Sequence, residues 1–244
     1  MNAGRTLATA GRVLRQVRHD HRTVAMLVAV PCVLLGLLAW IYSGTPVFDR
    51  LGAPLLGVFP FVIMFLVTSI ATLRERQSGT LERLLTLPTS KADIVGGYAL
   101  AFGVLAAVQA VVASAFALFV LGLDVAAAAW LLVVVAVADA LLGAGLGLFV
   151  SAFAATEFQA VQFLPALVLP QFLLCGLLVP RDQLPDVLRW LSDVLPLSYA
   201  VDAMRTITVD AGAGADVARD VTVVLGFVVV AVAAGAATRR RRTA

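Results

Sequence analysis

Six long apolar runs separated by short polar connections dominate the chain. They cover Thr23–Tyr42, Gly52–Leu73, Ile94–Leu121, Ala126–Val150, Phe158–Val179 and Val221–Thr238. A helix rises about 1.5 Å per residue, so roughly 20 apolar residues cross a hydrocarbon core of about 30 Å. Each run is continuously apolar rather than alternating, which predicts spanning helices and not a β-barrel. The third run is long enough to begin below the membrane surface. The first run follows several arginines but has no A-x-A cleavage site after Tyr42, so it reads as an uncleaved span.

Composition supports the same class. The 244 residues are 61% hydrophobic and 14% charged, with a mean hydropathy of +0.98. A water-soluble domain is nearer half apolar and a quarter charged. A soluble enzyme, a secreted disulfide scaffold, a disordered chain and a nucleic-acid-binding domain are therefore excluded, and no nucleic-acid partner is expected. Cys32 and Cys175 lie in separate apolar runs without a CxxC partner and read as small hydrophobes.

Charge sets the expected orientation. Arg5, Arg12, Arg15, Arg18, Arg22, Arg74, Arg76, Arg83, Lys91 and Arg239 to Arg242 fall on one side of a six-span chain. Only Arg50, Arg181, Arg189, Arg205 and Arg219 fall on the other. Thirteen against five places both termini in the cytoplasm. The Pro180–Asp220 segment, with seven aspartates, then lies outside. The Ala, Val and Arg bias, with Lys91 the single lysine, suggests a GC-rich bacterial source and so a bacterial inner (plasma) membrane.

Three connecting segments carry pattern of their own. Over residues 4–22 a helical wheel puts Leu7, Ala10, Val13, Leu14 and Val17 on one side and five arginines, Arg12 among them, on the other. That is a basic amphipathic helix expected at the membrane surface, either as an orientation anchor or as an elbow touching a cytoplasmic partner. After the second span, Ser78 and Gly79 open a short helix with Leu81, Leu84 and Leu85 as an apolar stripe, and Pro88 stops it. Ser90-x-x-Asp93 has capping-box spacing for the next helix. Spacing alone leaves two readings of this rod: a helix lying in the headgroups, or a plug for a groove on a partner protein. On the outer side Leu184, Leu188, Leu191 and Leu195 recur at helical spacing, with Pro185 suited to the first turn of a helix and Pro196 ending it. A second short helix is expected over Ser198–Thr206, with Asp202 and Arg205 able to pair. Two helices too short to span suggest a cap or a re-entrant hairpin. Pro165 and Pro170 are expected to kink the fifth span.

Chemistry-bearing residues are few. A P-loop needs G-x-x-x-x-G-K-[ST], and Lys91 sits between Pro-Thr-Ser and Ala, so any ATP hydrolysis must come from another chain. Gly143, Gly145 and Gly147 lie inside an apolar span, and Gly143-xxx-Gly147 reads as close helix packing. His19 and His21 stand among arginines and form no metal site. Asp139, near the middle of the fourth run, is costly in lipid. It is expected to hydrogen-bond a neighbour such as Gln109, to meet substrate, or to relay a proton. Gln109 and Asp139 are the pathway candidates, and a proton-coupled secondary transporter using Asp139 is the alternative function.

Against this background the chain resembles the transmembrane subunit of type-2 ABC exporters, the permease family that includes antibiotic-resistance and polysaccharide-export permeases. Arg74-Glu75-Arg76-x-x-Gly79-Thr80-Leu81-Glu82-x-Leu84-Leu85, leading to Leu87-Pro88, resembles the stretch after that family's second span. Pro180-x-x-x-Leu184-Pro185, Leu195-Pro196-Leu197-Ser198-Tyr199 and Asp202-x-x-Arg205 resemble its segment before the last span. The resemblance implies an all-α membrane protein of six transmembrane helices. An amphipathic segment over 1–22 precedes a single transmembrane domain over 23–244, with short outer re-entrant-type helices about 184–206. It implies a coupling helix about 78–87 that docks on a cytoplasmic ATP-binding subunit. Arg74, Glu75, Gly79, Thr80, Leu81, Glu82, Leu84, Leu85 and Pro88 are the coupling candidates, and Pro185, Pro196, Tyr199, Asp202 and Arg205 the outer-helix candidates. It further implies a second permease subunit, identical or different, with ATP and Mg held by the partner and no cofactor or metal on this chain. The short outer connection Ser43–Leu51 leaves no room for a large outer insert. The Val, Ala and Leu lining and the 8% aromatic content favour drug-like, apolar or amphipathic cargo over carbohydrate.

Overall fold

The computed structural model describes residues 2–78 and 91–238. Among these residues the chain is helical, and six of its helices are long and apolar enough to cross a membrane. In chain order the helices are α1 (Ala3–His19), α2 (His21–Ile41), α3 (Val47–Gln77) and α4 (Lys91–Ala115), the last continuing as a π-helical turn over Phe116–Val120. Then come α5 (Ala129–Val150), α6 (Glu157–Leu174), a 3-10 turn over Arg181–Gln183, α7 (Asp186–Asp193), α8 (Pro196–Val209) and α9 (Gly214–Thr238). The expected coupling helix over 78–87, with Gly79 to Pro88, lies outside the described residues apart from Ser78.

Local chemistry explains the boundaries. Asp20 separates α1 from α2: its carboxylate accepts the N–H groups of Arg22 and Thr23 and, at 2.7 Å, the Thr23 hydroxyl. The Thr23 hydroxyl, then these N–H groups, hold the Asp20 carboxyl below the ordinary carboxylate range. Thr156 caps α6 by accepting the Gln159 N–H. Pro196 does not merely end the preceding helix as expected. It occupies the first turn of α8, where its missing N–H costs nothing.

Helix ends differ from the hydropathy runs in three places. α3 starts at Val47 and carries Pro54 and Pro60 within it, so the connection between the first two spans is shorter than Ser43–Leu51. α6 stops at Leu174 although the apolar run continues to Val179, because Gly176 takes φ of +90°, a left-handed turn that breaks the helix. α9 starts at Gly214, seven residues before Val221. The two short helices expected over 184–206 are the eight-residue α7 and the longer α8, which runs on to Val209.

α3 and α5 form the largely buried centre of the bundle. Their contact is close because α5 presents glycines to α3's backbone. A Cβ placed on Gly143 would lie 2.2 Å from the Phe61 carbonyl oxygen, and one on Gly147 would lie 2.6 Å from that of Phe65. Burial from water adds nothing between helices already in lipid, so such close packing supplies the attraction. α4, α8 and α9 also pack on α5, while α2 and α6 lie against α3. α1 packs Ala10, Val13 and Val17 inward and runs against α4, where a Cβ on Gly97 would lie 2.5 Å from the Thr9 Cβ. Leu7, placed on the same apolar side by the helical wheel, is exposed.

Candidate functional site: the basic end of α3 and an apolar groove

The last turn of α3 is joined to three neighbours by side chains of successive residues. Arg74 donates through Nε and Nη2 to the two carboxylate oxygens of Glu157 on α6, at 2.7 and 2.9 Å. Glu75 turns the opposite way and accepts both Nη groups of Arg12 on α1, at 3.0 and 2.9 Å. Arg12 also donates to the Tyr98 hydroxyl on α4 at 3.0 Å, with its guanidinium 6.0 Å from that ring's centre. The Arg76 guanidinium donates to the carbonyls of Ala152 and Ala154 in the α5–α6 turn, and Gln77 Nε2 donates to that of Ala155 at 2.8 Å.

The two ion pairs differ in environment. The Glu75 side chain is only 5% exposed, and its two-pronged pairing with Arg12 prevents an isolated charge from being buried. Arg74 and Glu157 are 57% and 44% exposed, so that pair alone is worth at most about 1 kcal/mol. Beside it, Leu73, Ala154 and Ala160 form a small buried apolar cluster. At the other end of α1, the Asn2 N–H donates to Asp93 at the start of α4 at 2.7 Å. One helix thus holds both stems of the 79–90 connection.

Arg12 corrects the helical-wheel reading, which grouped it with the solvated arginines. Arg15 and Arg18 are exposed, whereas Arg12 is partly covered between α3 and α4. The expected partner role of Ser90 in a capping box lies outside the described residues.

Between α2, α3 and α6 lies an open groove of about 330 Å³. Leu34, Val58, Val62, Leu164, Val168 and Phe172 are among its walls, and no charged residue lines it. Its wall on α6 includes Pro165, one of the two prolines expected to kink that helix.

The pathway candidates are elsewhere. Asp139 and Gln109 are both buried, and neither has a hydrogen-bond partner among the described residues, so the expected bond between them is not formed. Asp139 is seated where Gly57 leaves space: its Oδ2 is 3.2 Å from the point a Gly57 Cβ would occupy, with the Met204 side chain 3.7 Å from that point. At the far end, Asp202 pairs with Arg181 and not with Arg205, because Arg205 instead donates to the Gly176 carbonyl at 2.9 Å. Arg181 also pairs with Asp193 and stacks on Tyr199, whose hydroxyl donates to the Asp193 carbonyl at 2.7 Å. Burial raises the Asp202 carboxyl above its ordinary range, opposed by the Arg181 charge. Pro185 precedes α7 and Pro196 opens α8.

Sequence reasoning singled out Arg74 and Glu75 but missed Arg12, Tyr98 and Glu157. A glutamate in the last turn of a largely buried apolar helix, two residues after Leu73, signals that a cation must come to it. Nothing in the one-dimensional pattern says which of several arginines does so.

Comparisons with known proteins agree with this architecture. The family model described as ABC-2 type transporter matches residues 6–209. The chain is 28% identical over 159 residues to ABC transporter G family member 20 of Dictyostelium discoideum, covering 65% of this chain and 22% of that protein. It is 28% identical over 153 residues to the probable multidrug ABC transporter permease YbhR of Escherichia coli, covering 63% and 42%. It is 26% identical over 176 residues to the linearmycin resistance permease protein LnrN of Bacillus subtilis, covering 72% and 46%. The matched region thus spans less than half the length of each of these relatives. With six apolar helices and a family match over most of its length, this multi-pass membrane chain belongs to the ABC-2 type transporter family.

Proposed function

We propose that this chain is the membrane-spanning permease subunit of an ATP-driven exporter of apolar or amphipathic molecules. It works with a second permease subunit, identical or different, and with separate ATP-binding subunits that hold ATP and Mg. The anchored last turn of α3 carries the reading. Residues 79–90 leave from a turn fixed to α1, α6 and the α5–α6 turn, so a push on that segment is delivered to the bundle and not lost in a loose stem. Family membership supports the ABC assignment. The printed names of relatives, a multidrug permease and a linearmycin resistance permease, support export of drug-like cargo. The uncharged groove suits such cargo, since an apolar molecule loses no hydrogen bonds there. The basic end faces the cytoplasm of a bacterial cell, with both termini there, in line with the arginine distribution.

The test is a docking measurement. The permease is co-expressed with its ATP-binding subunit and purified from membranes. Leu84→Glu places a charge on the leucine stripe and is expected to reduce recovery of the ATP-binding subunit at least about ten-fold, or roughly 1.4 kcal/mol, while insertion is retained. Recovery equal to the parent would overturn the docking role of this segment.

A further inference from the structure

We propose that α6 is a bow strung between the two ends of the bundle, and that Arg74 and Glu157 are positioning residues that flex it to change the width of the apolar groove. The inference rests on the reading above, that drive enters through residues 79–90.

The basic end of α6 is tied to α3 in several ways at once. Arg74 holds Glu157 through two hydrogen bonds. Arg76 and Gln77 hold the carbonyls of Ala152, Ala154 and Ala155 immediately before the helix. Leu73, Ala154 and Ala160 close an apolar contact at the same level. Any displacement of α3's last turn is therefore transferred to the first turn of α6.

The other end is tied separately. The Ser192 hydroxyl donates to the Leu174 carbonyl at 2.8 Å, and Gln171 Oε1 accepts the Leu197 N–H at 3.4 Å. Between these ties, among the described residues, no hydrogen bond joins residues 160–170 to another helix. Pro165 and Pro170 fall at this stretch and each deletes an intrahelical hydrogen bond, making it the softest part of the helix. The same stretch supplies Leu164, Pro165, Val168 and Leu169 to the groove wall, and Ala166, Leu167 and Leu169 are exposed. A helix fixed at both ends and soft in the middle bends where it is soft, and here that is where it walls the groove.

The experiment is a distance measurement across the groove in the full chain. Spin labels are placed at Leu34→Cys and Leu169→Cys, with Cys32→Ala and Cys175→Ala, in phospholipid nanodiscs. Glu157→Lys is expected to move the distance distribution by more than the parent's own width. The charge exchange Arg74→Glu with Glu157→Arg is expected to bring it back, which a merely misfolded variant would not do. An unchanged distribution in Glu157→Lys, or a shift that the exchange does not reverse, overturns the proposal. In a second arm the ATP-binding subunit is added with trapped nucleotide. The parent distance should shift, and Glu157→Lys should bind the subunit equally yet lose the shift. Equal shifts in both overturn the bow. Failure of the subunit to bind the parent instead counts against the reading of residues 79–90 and leaves the first arm standing.

Discussion

Gly143 and Gly145 show how position decides the worth of a glycine. Both lie on α5, two residues apart, in the same small-residue stretch. A Cβ on Gly143 would meet the Phe61 carbonyl at 2.2 Å, whereas one on Gly145 would have its nearest neighbour at 3.5 Å, an ordinary contact. Gly143→Ala is therefore expected to push α5 off α3 and to destabilise the protein by about 1–3 kcal/mol, the usual scale for overpacking. Gly145→Ala is expected to be near neutral. Thermal unfolding in detergent checks the pair, and equal midpoints for the two variants would contradict the packing described. The GxxxG spacing was legible in the sequence. It singled out Gly143 and Gly147, the two that meet α3's backbone, but not which helix they would meet, because that depends on the rotation of α5 about its axis.

At the scale of elements, α1 is the telling case. Its amphipathic pattern was readable from sequence, but pattern alone placed its apolar stripe against lipid. The stripe instead packs on α4, and Arg12 is turned to Glu75 and Tyr98. Arg12→Ala leaves the nearly buried Glu75 carboxylate without its cation and is expected to cost about 2–3 kcal/mol, less than a fully enclosed pair because Arg12 remains partly exposed. Replacing both, as Arg12→Met with Glu75→Leu, is expected to recover most of that loss. A double-mutant cycle on unfolding midpoints measures the coupling, and additive losses would show that the two side chains act independently. The two short helices α7 and α8 follow the same rule. Periodicity found α7 and α8, yet it paired Asp202 with Arg205, three residues away on one helix. The chain's return after Gly176 brings Arg181 to Asp202 instead.

For the whole molecule, the source of energy is the decisive property. The proposed exporter depends on ATP hydrolysed by a partner. Substrate uptake by inverted vesicles holding the complex, followed with a fluorescent amphipathic cation, is expected to stop without ATP even when a pH gradient is present. Uptake that persists without ATP and is abolished by Asp139→Asn would establish the proton-coupled alternative. Asp139 is the residue to watch because it is buried against Gly57 with no hydrogen-bond partner among the described residues.

Taken alone, the sequence determined the class, the number of apolar spans and the family resemblance. Hydropathy and short-range spacing are local properties, and 61% apolar residues in six long runs admit few other structures in lipid. Tertiary structure alone decided which charges meet, where α6 ends within its apolar run, and that α2, α3 and α6 line an open groove while Asp139 and Gln109 form no hydrogen bond to each other. Those outcomes depend on the rotation, tilt and depth of each helix relative to its neighbours. Contacts such as Arg12 with Glu75 and Arg74 with Glu157 join residues 63 and 83 positions apart, a separation that no helical period encodes.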